Sequence, residues 1–216
     1  MTAPARTEVV PGLEYASTVS RLVAFLVDTF LISLLATAVA AIVPGAQAPT
    51  TLGSGVVYSP TFNLVSALVG AAYFIGFWSG GRRATLGQML FKIQVGNAAD
   101  GRSLTTEQAV KRWLGLGLFL PIVGVVPGFG SLAGLMEFVW AIVLWITTAS
   151  SPTKQGLHDR YAETAVVRPV GSSNTLVWTC LVLVILIPIL AVLALFSLVI
   201  VGSQVSTVLS EVGTSV

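Results

Sequence analysis

Charge is scarce in this sequence, and so are the residues that most catalytic and metal sites require. Of its 216 residues only 9% are Asp, Glu, Lys or Arg, against about 25% in ordinary soluble domains. So few charges cannot cover the surface of a water-soluble fold of this size. The single cysteine, Cys180, lies in an apolar run, which excludes an internal disulfide framework and a thiolate metal cluster. The single histidine, His158, has no second histidine or cysteine beside it, so a zinc site is not expected. No phosphate-cradling glycine loop, nucleophile elbow or HExxH pattern occurs. Neither a cofactor, a metal nor a nucleic-acid partner is expected, and the chain does not read as an enzyme.

Long apolar runs fill the space those absences leave. The composition is 55% hydrophobic and the mean hydropathy is +0.90, which is the signature of an integral membrane protein whose main partner is the lipid bilayer. Five apolar stretches stand out, at about 22–43, 62–80, 110–126, 131–148 and 176–201. Pro44-Gly45 closes the first, Ser59-Pro60-Thr61 opens the second and Ser172-Ser173-Asn174 precedes the last. Ala46-Gln47-Ala48 imitates a signal-peptidase site, but the preceding run is too long for a signal h-region and contains Asp28. It reads as a retained first span.

Residues 113–148 are almost uncharged. As one helix they would extend about 54 Å, far beyond a hydrocarbon core of about 30 Å. The chain must therefore turn back, and Pro127-Gly128-Phe129-Gly130 is the expected hairpin, with the first arm short and kinked or re-entrant at Pro121. This gives an all-α polytopic bundle of about five transmembrane helices. The eleven Lys and Arg then fall on one face, in the segments before the first span, between the second and third, and between the fourth and fifth. The positive-inside rule makes that face cytoplasmic, with the N-terminus on it and the C-terminus external. Phe91–Val95 and Thr164–Val167 read as short strands that pair into a small cytoplasmic β-like element. Thr105 with Gln108 forms a capping box for a helix running toward the membrane.

Two acids fall inside apolar spans, where a carboxylate near the helix centre costs roughly 2.5–3.5 kcal/mol on insertion scales. Asp28 lies seven residues after Arg21 in "RLVAFLVDTFLISLLATAVAAIV", about 10.5 Å along the same helix face. Helical side chains lean toward the N-terminus, so Arg21 points away from Asp28 and a direct bond is not expected. Arg112 or Arg82, each at the cytoplasmic end of its own span, is the expected charge partner. Glu137 stands near the middle of the fourth span, where an acid is expected to face a bundle interior or a hydrated cavity. Asp28 and Glu137 are thus candidate ion or proton sites. The plainer reading makes Asp28 a structural ion pair and Glu137 a neutral acid bonded to backbone. Ala72, Gly76 and Gly80 form a small-residue ridge suited to an internal helix contact. Trp113, Trp140, Trp145 and Trp178 read as interfacial anchors or core, Pro188 as a kink, and His158 as a hydrogen-bonding partner at the membrane surface.

"SRLVAFLVD", "GRRATLGQMLFKIQVGNAADGRSLTTEQAVKRWL" and "KQGLHDRYAETAVV" resemble the RDD family of bacterial membrane proteins, named for an arginine and two aspartates. The resemblance covers about residues 15–168 and supplies the motif as Arg21, Asp28 and Asp159. It implies a domain at 21–168, preceded by a cytoplasmic segment 1–20 and followed at 169–216 by an added transmembrane helix and a short external tail. The family pattern has Gly-Lys where this chain has Gly87-Gln88, so that cation is missing or replaced by Lys92. The resemblance also implies an inner-membrane protein, with transport suggested for the family and cation/proton antiport attributed to some members. By that reading Asp28, about 9 to 10 Å inside the surface, and Asp159 at the surface address one cytoplasmic vestibule balanced by Arg21 and Arg112. Two functions compete: a small ion- or proton-coupled transporter, which would work as a homo-oligomer, and a noncatalytic accessory or scaffold subunit of a larger envelope complex.

Overall fold

The computed structural model describes residues 8–10, 12–46, 50–52, 55–57, 59–123, 125–126 and 129–214. Two short strands, β1 (Glu8–Val10) and β2 (Leu13–Tyr15), lead into α1 (Thr18–Ala40). A small hairpin, β3 (Thr50–Leu52) and β4 (Gly55–Val57), precedes α2 (Pro60–Ser79). There follow α3 (Leu86–Leu90), β5 (Gln94–Asn97), α4 (Thr106–Gly115), α5 (Leu120–Val123), α6 (Gly130–Ser150), α7 (Leu157–Tyr161), β6 (Thr164–Pro169) and α8 (Thr175–Thr214). Residues 1–172 form one compact unit and residues 173–216, essentially α8, form another.

The long helices begin where the local chemistry dictates. Ser17 caps α1 by accepting from the Ser20 amide at 3.1 Å, and Ser59 caps α2 through Phe62 N at 3.1 Å, with Pro60 in the first turn where no amide donor is missed. Among the described residues four helices are long and apolar enough to cross a membrane: Thr18–Ala40, Pro60–Ser79, Leu132–Ser150 and Thr175–Leu198. At 1.5 Å per residue each covers roughly 28–36 Å, enough for the hydrocarbon core. The chain is a multi-pass membrane protein with a mostly helical fold, and α8 runs helical through Pro188.

The third apolar stretch is the exception to a helix per stretch. It folds as α4, then a break, then the single turn of α5. The break sits at Gly117, earlier than Pro121, because Gly117 adopts φ +77°, a left-handed conformation that a side chain resists. A Cβ there would also stand 2.6 Å from Cδ1 of Trp140. α4 packs on α2 and α7, whereas α5 packs on α2 and α6, so the segment climbs alongside α6 as a broken arm. The turn expected at 127–130 falls partly on residues 127 and 128, outside the described residues; Phe129 and Gly130 open α6.

A cap gathers at the end where α1 begins and where α2 and α6 finish. β5 and β6 pair antiparallel, as expected, but in the register Gln94↔Val167 to Asn97↔Thr164, so the strand starts after Ile93 rather than at Phe91. β2 adds to the other edge of β6 and β1 to β2, giving the order β1-β2-β6-β5. Ile93, Val95 and Val166 of this cap are buried together with Val23 of α1 and Trp78 of α2. At the opposite end a smaller apolar cluster joins Ala40 and Ala46 to Phe62 and Val65. The small-residue ridge is not an internal contact, since Ala72 and Gly76 lie on the exposed side of α2.

Candidate functional site

Two short helices of the cap, α3 and α7, bring the polar residues together, and α1 holds both. α3 starts at Thr85, whose hydroxyl accepts from Gln88 N at 3.3 Å while the Gln88 side chain accepts from Thr85 N at 3.0 Å. This reciprocal capping box occurs again at Thr105 and Gln108, as the sequence predicts. α7 begins at Gly156, whose amide donates to the Asp159 carboxylate at 3.1 Å.

Asp28 reaches from α1 to the first turn of α3. Its carboxyl accepts from the Tyr73 hydroxyl at 2.6 Å, the Thr85 hydroxyl at 2.5 Å and Gly87 N at 2.7 Å. The Tyr73 oxygen in turn accepts from Leu86 N at 3.1 Å, so all three leading amides of α3 find acceptors. Only 1% of Asp28 is exposed. Gly87 permits the approach, because a Cβ there would lie 2.3 Å from the carbonyl oxygen of Ala24. The cation expected beside Asp28 is not there among the described residues: Arg82 is exposed in a turn, and Arg112 goes elsewhere. Three O–H and N–H donors satisfy the carboxyl instead, so this buried polar group has its partners without an ion pair.

Asp159 receives the cations. Arg21 donates to it at 2.9 Å and extends a second N–H to the carbonyl of Val166 at 3.1 Å. Arg112 binds the other carboxylate oxygen and also the Thr164 hydroxyl, the latter at 2.6 Å, and its guanidinium lies 5.0 Å from the centre of the Trp78 ring. The Asp159 side chain is fully buried, Arg112 4% exposed and Arg21 11% exposed. Burial alone would raise the Asp159 pKa, but the charges of Arg112 and Arg21 override it and hold the carboxyl well below the usual carboxylate range. His158 stands beside them with Nε2 at 3.4 Å from Asp159. Burial, reinforced by the two arginines, lowers its pKa to about 4, so it is neutral at physiological pH.

The family motif is therefore a joint. Arg21 and Asp28 do not bond to each other, as their spacing implied; each grips a different short helix. Tyr73, Trp78, Thr85 and Thr164 complete the joint, and the sequence reading passed over them as partners. Thr85-x-x-Gln88 carried a legible signal, the same box as Thr105-x-x-Gln108. Gln88 also answers the missing lysine: its side-chain oxygen accepts from Trp78 Nε1 at 3.1 Å as well as from Thr85 N, a task an ammonium group cannot perform. Lys92 does not substitute, being exposed at the end of α3 with φ +56°.

Glu137 lies apart from this joint. It occupies an exposed face of α6, has no hydrogen-bond partner among the described residues and does not line the cleft that Asp28 borders. Trp113 is buried and Trp140 donates to the carbonyl of Gly115 at 3.0 Å, while Trp145 and Trp178 are exposed.

No solved structure matches the chain. Over 114 residues it is 30% identical to the uncharacterized membrane protein YteJ of Bacillus subtilis (strain 168). That alignment takes in 53% of this chain and 57% of the relative, so the chain spans little more than half the length of the protein it matches. The sequence model of the RDD family matches residues 15–163, from the strand before α1 through the Arg21–Asp159–Arg112 cluster to the end of α7. The chain belongs to the RDD family.

Proposed function

We propose that this protein is a noncatalytic accessory subunit of a larger membrane assembly, with its cap on the cytoplasmic side. The observation that carries the reading is Glu137. A carboxyl on an exposed face of a membrane helix, without a partner among the described residues, is costly in lipid, and a donor from a neighbouring chain in the membrane removes that cost. The state of the other two acids supports the same reading, since Asp28 and Asp159 are consumed in holding the cap to α1. Clustering of Lys and Arg in the cap segments favours its cytoplasmic placement, and the four long helices together with the broken third arm make five crossings, which then leave the C-terminus external. Native mass spectrometry of the chain released in its own membrane patch tests the assembly. The expected result is a complex heavier than the 22.5 kDa chain, weakened by Glu137→Leu. A lone chain under every mild condition would overturn it.

One observation favours the runner-up, a proton- or cation-coupled transport subunit: Asp28 lines a cleft that also reaches Arg21, Arg112 and His158. Ion flux in liposomes containing the purified protein tests it. Flux that survives Asp28→Asn unchanged would leave that acid with a structural role only.

A further inference from the structure

The cleft that Asp28 borders lies between α1 and α6 at their cap ends and has a volume of about 190 Å³. Leu22, Phe25 and Trp145 give it an apolar wall, and Arg21, Arg112 and His158 form its polar end. Leu22 and Trp145 are exposed on the outer surface of their helices, so the cleft opens sideways, toward lipid. At about 190 Å³ it is smaller than the roughly 300–1,000 Å³ of sites that enclose a whole small molecule. It suits one end of a ligand whose remainder lies outside.

The polar end seeks negative charge. Two guanidiniums meet one carboxylate there, and His158 is neutral, which leaves one positive charge in surplus. Moreover, Nε of Arg21 and Nε of Arg112 are buried without a hydrogen-bond partner among the described residues. A buried donor left unpaired costs about 1–3 kcal/mol, and more when charged. Asp28 also lines the cleft, two helical turns from Arg21, its oxygens already engaged by three donors, which keeps an anion at the arginine end. An oxyanion with several acceptor oxygens complements two guanidiniums, and basic pockets between membrane helices near the cytoplasmic surface hold anionic lipid headgroups.

We propose that this cleft binds the phosphate of an anionic phospholipid, with Arg21 and Arg112 donating to its oxygens and an acyl chain lying along Leu22, Phe25 and Trp145. The site needs only one chain, so it stands or falls separately from the assembly reading.

The test uses the full chain in a non-ionic detergent, titrated with phosphatidylglycerol, phosphatidylcholine or inorganic phosphate, and read by native mass spectrometry and thermal melting. Phosphatidylglycerol is expected to bind one to one and raise Tm, with phosphatidylcholine at least tenfold weaker and inorganic phosphate weaker still. Because Arg21 and Arg112 also hold Asp159, the decisive variant is Ala141→Phe, which adds bulk to the α6 wall of the cleft at a residue that belongs to no ion pair. It is expected to lower phosphatidylglycerol affinity at least tenfold while leaving Tm without lipid unchanged. Undiminished affinity in that variant, or equal binding of phosphatidylcholine, would overturn the site. Inorganic phosphate saturating at the same concentration as the lipid would overturn the lipid assignment.

Discussion

The segments α3–β5 and α7–β6 follow one local plan and solve one problem with opposite charges. Each is a five-residue helix whose third residue reaches back to the capping amide, followed by a residue with positive φ, Lys92 or Glu163, and then by a strand. The two strands pair with each other. The difference lies at the third helical position, which is the amide Gln88 in α3 and the carboxylate Asp159 in α7. Where that position is neutral, α1 brings a carboxyl, Asp28, to the first turn of the helix. Where that position is the anion, α1 brings the cation, Arg21. The seven-residue interval between Arg21 and Asp28 is thus the separation of two anchoring points along one helix, and the two grips differ in kind. One is made of neutral donors, the other of ions.

The largest expected effect comes from the ionic grip. Asp159→Asn leaves two buried guanidiniums around a neutral amide and is expected to cost about 3–5 kcal/mol, read by equilibrium unfolding in mild detergent or bicelles. Acid should act next, through His158. Its folded pKa is near 4 and its ordinary value is 6.5, so between those values the unfolded chain takes a proton that the folded one refuses. Stability falls as pH drops through that window, by up to about 3 kcal/mol, and His158→Gln is expected to flatten the slope. Asp159, with its depressed pKa, adds its own loss only below about pH 4, where unfolded aspartates begin to protonate.

The neutral grip responds to shape more than to charge. Gly87→Ala is expected to cost about 1–3 kcal/mol by pushing α3 off the Ala24 carbonyl. Asp28→Asn keeps acceptors for Tyr73 and Gly87 and should cost only about 1 kcal/mol. If Asp28→Asn proves as damaging as Asp159→Asn, the contrast between the grips fails; a gap of a few kcal/mol sharpens it.

Much of this fold could be read from residue pattern. The apolar runs, the Ser59 opening of α2, the Thr105 box and the pairing of β5 with β6 are written in segments of about two dozen residues or fewer. The grip on Asp28 is not. Tyr73, Thr85 and Gly87 lie 45 to 59 positions away in sequence, and each is an ordinary residue by itself, so the general preference of buried acids for cations pointed to Arg112 and Arg82 instead. The surroundings of Glu137 were hidden for a different reason. α6 is apolar nearly all the way round, so periodicity does not distinguish its inner face from its outer one. The broken third arm lay in between: Pro121 signalled an interruption, but its position is set by Gly117 meeting Trp140, a contact between two helices.

The distances in sequence across the joint also set a schedule for synthesis. Asp28 leaves the ribosome 57 residues before Thr85, and Arg21 leaves 138 residues before Asp159. At roughly 5–20 residues per second, the acid waits about 3–11 s for its first α3 donor and the arginine about 7–28 s for its counterion. During that interval the nascent first helix carries two uncompensated ionisable groups, so it should linger beside the insertion machinery rather than partition early into lipid.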